Sequence, residues 1–231
     1  MHFKSNRIKF TYITFENNFN NGHLNYETLL SFAFATSVLA ISPGPDNIYV
    51  LMQSIVNGKK FGLATVAGLI SGCLVHTTLV AFGVSVIIKE NASLFFVIKL
   101  FGALYLLYLA FKVFRSNGSL SLSDGSVPKR GLWELFKQGF IMNVLNPKVS
   151  IFFLAFFPGF LFSDTMSTVA QFYILGLLFM SVSLFIFSMI AILAGSISEY
   201  IKSHENVGLY LKWLQVFVFV GIAVFILFSD N

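Results

Sequence analysis

The chain has 231 residues, is 56% hydrophobic and only 11% charged, and carries a formal net charge of +5 with a mean hydropathy of +0.80. A soluble domain carries about 25% charged residues, so this composition excludes an ordinary soluble fold and specifies an integral membrane protein. The basic balance, with a pI near 9.3, is explained by loops at one membrane face rather than by nucleic acid, and the one cysteine, Cys73, excludes an internal disulfide or a thiol relay.

Residues 1–23 are polar, with four asparagines between Asn17 and Asn21. They lack the continuous apolar run of a signal peptide and read as a disordered tail. Six apolar segments follow, at about 29–56, 61–88, 93–114, 132–162, 168–195 and 209–228. Each is close to or above the ~20 residues a helix needs to cross a bilayer. The first and fourth are long and carry proline near their centres. The polar stretch 116–130 reads as a flexible linker. It divides a transporter domain, 24–228, into repeat one (24–115) and repeat two (131–228).

The first segment contains Ser42-Pro43-Gly44-Pro45-Asp46-Asn47. Proline lacks an N–H and clashes with the preceding turn, so the helix must break there. A freed backbone and a carboxylate inside lipid are both costly unless protein or a water-filled cavity receives them. The fourth segment contains Asn143-Val144-Leu145-Asn146-Pro147-Lys148. Pro45 and Pro147 occupy equivalent places, and so do Asp46 and Lys148. With three spans per half, the second half enters from the opposite side, the inverted-repeat plan of many secondary transporters. The expected fold is therefore all-α: six transmembrane helices as two inverted three-helix repeats, with helices 1 and 4 broken at proline.

Pro45 and Pro147 suit the first position of a new half-helix, with Asn146 as the N-cap of the second. Two half-helix N-termini turned toward the membrane centre would favour a carboxylate. Asp46 suits an ammonium group or a proton, and Lys148 a carboxylate, so the set fits a zwitterion. A structural Asp46–Lys148 pair around two kinks is the plainer reading. In the second segment Ala64, Gly68, Gly72 and His76 follow at intervals of four and share one face. Gly68 and Gly72 read as helix-packing positions. His76 reads either as a structural histidine or, with Asp46, as a proton relay. Lys99 is expected to snorkel to the outer interface. Asn143 could bond another helix or a ligand.

Lys59, Lys60, Lys112, Arg115, Lys129, Arg130, Lys137, Lys202 and Lys212 fall on one side, and Lys89 with Lys4, Arg7 and Lys9 on the other. The first side should be cytoplasmic, placing both termini outside. Trp133, Trp213, Tyr200 and Tyr210 would line the cytoplasmic interface.

Ser-Pro-Gly-Pro-Asp-Asn at 42–47, Gly68-x3-Gly72-x3-His76, Lys99-x2-Gly102-Ala103-x-Tyr105-Leu106, and Asn146-Pro147-Lys148 with Phe152-Phe153 together resemble the lysine exporter/RhtB (LysE-type) translocator family. The resemblance covers about residues 24–228. It implies export of amino acids or close derivatives from the bacterial cytoplasm, driven by a proton or ion gradient. Substrates in that family include lysine, arginine, threonine, homoserine, homoserine lactone and leucine. Many members have Pro-Gln-Phe where this chain has Pro158-Gly159-Phe160, a departure expected to touch an interface or loop. The expected function is secondary export of a neutral or hydroxylated amino acid such as threonine or homoserine, with Asp46, Asn47, Pro45, Asn146, Pro147 and Lys148 at the substrate. The expected partners are that amino acid, protons or another coupling ion, and the bilayer, with neither cofactor nor resident metal. Small-residue faces permit a homodimer without requiring one. A heavy-metal cation exporter is the alternative, with few ligands to support it. A membrane hydrolase lacks a paired nucleophile and base.

Overall fold

The computed structural model describes residues 25–116, 130–204 and 206–228. The expected tail, the body of the expected linker, and Lys4, Arg7, Lys9 and Lys129 lie outside the described residues.

Local chemistry sets where each helix begins. The Asn25 side chain accepts the Thr28 N–H at 3.1 Å and caps α1, Tyr26–Ile41. Pro43 and Pro45 then end the hydrogen-bond ladder, and α2, Pro45–Asn57, leaves at 60° to α1. Gly58 has φ +99°, a backbone conformation that L side chains rarely adopt. It turns the chain directly into α3, Lys59–Leu79. The helix widens through π-type turns at Val80–Val84 and continues as α4, Ser85–Glu90. Asn91 accepts the Leu94 N–H at 2.9 Å and starts α5, Ala92–Phe114.

In the second half Glu134 accepts the Gly131 N–H at 3.3 Å, at the start of α6, Leu132–Val144. After Asn146 the chain bends by 49° into α7, Pro147–Ile151, which runs on as π-type turns to Phe156 and a tight turn, Phe157–Phe160. Ser167 accepts the Ala170 N–H and caps α8, Thr168–Ile192. Then come α9, Ala194–Ser203, and α10, Val207–Phe228. The fifth span is thus shorter than expected. It ends at Ile192 rather than 195, because the chain turns at Leu193 and restarts as a separate helix.

Among the described residues the protein is all-helical. Four helical runs are long and apolar enough to cross a membrane, and six if each bent pair forms one span. Apolar side chains lie outside as well as inside. Phe34, Phe101, Phe185 and Phe217 are all exposed, the pattern of helices solvated by lipid.

The closest crossing is α3 on α6. A Cβ on Gly68 would stand 2.0 Å from the Phe136 carbonyl oxygen, and one on Gly139 would stand 2.3 Å from the Thr65 carbonyl oxygen. Only hydrogen at both positions lets the backbones approach this far. α10 packs along α5, and α8 lies against α1 and α3. Phe152, Phe153 and Phe157 are fully buried and meet Phe32 and Phe179 in an aromatic core beside α7. Phe160 of the unusual Pro158-Gly159-Phe160 packs on Phe32 and Phe225. That departure therefore sits in a packed turn rather than a loose loop. Buried Gln171 ties the following turn down, accepting from the Phe162 and Ser163 N–H groups and donating to the Ser163 and Met166 carbonyls.

Candidate functional site

Each proline removes a donor, and the structure shows what replaces it. Pro43 would otherwise donate to the Leu39 carbonyl, four residues back. The Lys148 ammonium donates there instead, at 3.4 Å, and also to the Ser42 carbonyl at 3.3 Å. The Asn47 amide reaches back to the Ala40 carbonyl at 2.7 Å. So the orphan carbonyls at the end of α1 are bonded by side chains from beyond the break. Pro147 would otherwise donate to the Asn143 carbonyl. The His76 ring nitrogen Nε2 lies 3.1 Å from that oxygen, and the Asn146 N–H donates to it at 3.0 Å. A carbonyl only accepts, so this contact calls for the Nε2–H tautomer.

The two breaks also bind each other. The Asn146 side chain donates to the Asp46 carboxylate at 2.7 Å, while its own oxygen accepts the Lys148 N–H at 3.0 Å. Asp46 and Lys148 do not form a direct pair. They are joined through Asn146, with the ammonium held by the α1 carbonyls. The ammonium also lies 5.4 Å from the centre of the Phe219 ring, in cation–π range.

These groups line one small cavity of about 40 Å³. Asp46, Asn47, Asn143, Asn146 and Lys148 supply its polar wall. Leu69 and Ile70 of α3 and Phe179 and Phe187 of α8 supply apolar wall.

Pro45 and Pro147 take their expected places at the first turn of α2 and α7, but both are exposed and neither lines the cavity. Of the two half-helix ends, that of α2 has no side-chain cap, whereas Asn146 already occupies the Lys148 N–H of α7. Gly68, Gly72 and His76 do share one face, and it is turned to α6. A Cβ on Gly72 would meet the Asn143 side chain at 2.7 Å. His76 stands apart from the main cavity. It faces a second, apolar cavity with Val80, Phe153 and Leu154, and Asn143 separates it from the Asp46 side. Lys99 is buried, at 8% exposure, with its ammonium 5.8 Å from the Phe95 ring. Its side chain is thus covered by protein rather than open to its surroundings.

Sequence alone leaves Asn143 open between a helix and a ligand and gives Cys73 no place at the site. Both line the cavity, and the Cys73 thiol donates to the Asn143 side-chain oxygen at 3.7 Å. Sequence alone places α8 as the fifth span but assigns no site residue to it. Phe179, Ser183 and Phe187 follow at intervals of four and share one face, but α8 is apolar all round, so no stripe marked it.

Among the described residues, no three His, Cys, Asp or Glu side chains come together as a metal site.

The LysE type translocator family model matches residues 37–230. The chain is 29% identical over 200 residues to the homoserine/homoserine lactone efflux protein of Salmonella typhimurium, covering 86% of this chain and 96% of that one. It is 29% identical over 203 residues to the leucine efflux protein of Klebsiella pneumoniae, covering 87% and 94%. It is 33% identical over 142 residues to the uncharacterized membrane protein YrhP of Bacillus subtilis, covering 58% and 68%. No solved structure matches the chain. With its apolar spans, its paired helix breaks and a family match over most of its length, the chain belongs to the LysE type translocators, multi-pass membrane transporters rather than enzymes.

Proposed function

We propose that this protein exports a neutral or hydroxylated amino acid, such as threonine or homoserine, across the cytoplasmic membrane. The observation that carries the reading is the enclosure of Asp46 and Lys148 in one cavity between two broken helices. The substrate ammonium binds the Asp46 carboxylate, and the substrate carboxylate takes the Lys148 ammonium and the uncapped end of α2. Asn47 and Asn146 hold the two breaks in register. The relatives' names, which specify efflux of homoserine and of leucine, support an amino acid as cargo.

The transporter domain is 24–228, built as two inverted repeats, 24–115 and 131–228, and alternating access rocks one against the other about the breaks. Protons are the coupling ion, taken by Asp46, with His76 the second candidate relay. The termini lie outside. A heavy-metal exporter is not favoured, because Asp46 and Cys73 face the main cavity while His76 faces another.

The direct test is efflux of radiolabelled threonine, homoserine and leucine from loaded vesicles carrying the full-length protein. Export of at least one, accelerated by an imposed pH gradient, is expected. Vesicles that retain all three would sink the reading, and export indifferent to the gradient would remove protons from it. A C-terminal reporter found in the cytoplasm would reverse the orientation.

A further inference from the structure

We infer that Ser183 of α8 reads the substrate's side chain, selecting a short amino acid with a hydroxyl over an aliphatic one. This rests on the export reading above and identifies which wall of the cavity sets its choice.

Four side-chain polar atoms are buried without a partner among the described residues: the hydroxyls of Thr36, Ser42 and Ser183, and the Gln53 side-chain nitrogen. Of these four residues, Ser183 alone lines the cavity of Asp46 and Lys148. It is 2% exposed. Serines inside apolar helices usually donate to the carbonyl four residues back. Ser37, Ser71, Ser150 and Ser181 all do so here, at 2.8 to 3.2 Å. Ser181, two residues away on the same helix, faces outward and bonds to Leu177. The Ser183 hydroxyl makes no such bond, and the residue forms part of the cavity wall.

A buried hydroxyl without a partner is unfavourable, so a native structure that keeps one calls for an explanation. The substrate supplies it. Asp46 and Lys148 belong to the wall made by the two breaks and fix the amino acid's two charged groups. The side chain must then project to another wall. On α8 that wall is Phe179, Ser183 and Phe187, one polar group between two aromatic rings. The rings exclude water and accept methylene groups. The hydroxyl is a hydrogen-bonding group on this helix's face of the cavity. A site built to bond a substrate hydroxyl discriminates more strongly than one that merely packs around it, because a substrate lacking the hydroxyl leaves the site's own group unpaired.

The test compares homoserine with leucine as labelled substrates for the full-length protein in vesicles. Wild type should favour homoserine. Ser183→Ala should lower the homoserine-to-leucine ratio of kcat/KM by about tenfold, mainly through a higher KM for homoserine, with leucine export retained. Ser183→Thr keeps the hydroxyl and should restore the preference. An unchanged ratio in Ser183→Ala, as expected if only water meets the hydroxyl, overturns the inference but not the export reading. So does an equal loss for both substrates, which marks a structural role. A wild-type protein that moves neither amino acid overturns both.

Discussion

The two helix breaks solve one problem by different means. At the first, two prolines and Gly44 end α1, and no side chain within the break caps α2. Its carbonyls are completed by side chains, at Leu39 and Ser42 by Lys148 of the other break and at Ala40 by Asn47 of α2. At the second, Asn146 caps α7 from within the break, and His76 of α3 stands in for the donor that Pro147 lacks. The first break thus depends on the second, through Lys148 and Asn146. The second is additionally fastened to α3. The first break is held across the cavity by one long lysine side chain, the second also by the close-packed α3. On the proposed export reading, a substrate carboxylate competes for the ammonium that holds α1, which makes the α1–α2 break the place where substrate triggers movement.

The largest effect should come from the charges. Asp46→Asn and Lys148→Ala should each lower export by roughly 100-fold or more while the protein still reaches the membrane. Removing one partner of a buried charged set costs about 3–5 kcal/mol. Near-normal efflux in both variants would show that the breaks are structural kinks and nothing more.

Next is the anchoring of the second break. Gly68→Ala places a Cβ against the Phe136 carbonyl and should separate α3 from α6. Overpacking of this kind costs about 1–3 kcal/mol. The expected result is a lower melting temperature in detergent and reduced export. An unshifted melting temperature would mean that α6 is not clamped as described.

Asn146→Ala removes both the α7 cap and the bond to Asp46. A lost cap alone costs about 1 kcal/mol, so a measurable fall in melting temperature is expected. His76→Leu removes one of two donors to the Asn143 carbonyl and should cost about 1 kcal/mol. If His76→Leu also abolished the response to a pH gradient, the relay role would outrank the structural one.

The smallest effect is expected at Gly44. Its backbone is extended, with φ −158°, and an added Cβ would meet only Asn47 and Lys148 atoms at 3.7 Å. Gly44→Ala should therefore shift the melting temperature less than Asn146→Ala does. The opposite ranking would show that the first break relies on glycine itself rather than on the side chains that complete it.

What the sequence determined by itself is local. Composition and run length identify a membrane protein, because lipid admits few charges and demands about 20 apolar residues per span. Prolines fix where the ladder must stop, and Asn146 is recognisable as a cap because its oxygen lies beside the N–H it accepts. The spacing of Gly68, Gly72 and His76 marks one helix face, and the family motifs mark the class. Which groups would complete the broken ladders was not legible. Lys148 and Leu39 are 109 residues apart, and His76 and Asn143 are 67 apart. Only the crossing of α3 on α6 and the meeting of the two breaks brings them within bonding distance. The same holds for the cavity's far wall. Ser183 is an unremarked serine in an apolar helix until the packing of α8 sets it, its hydroxyl without a partner, in the wall of the cavity that holds Asp46 and Lys148.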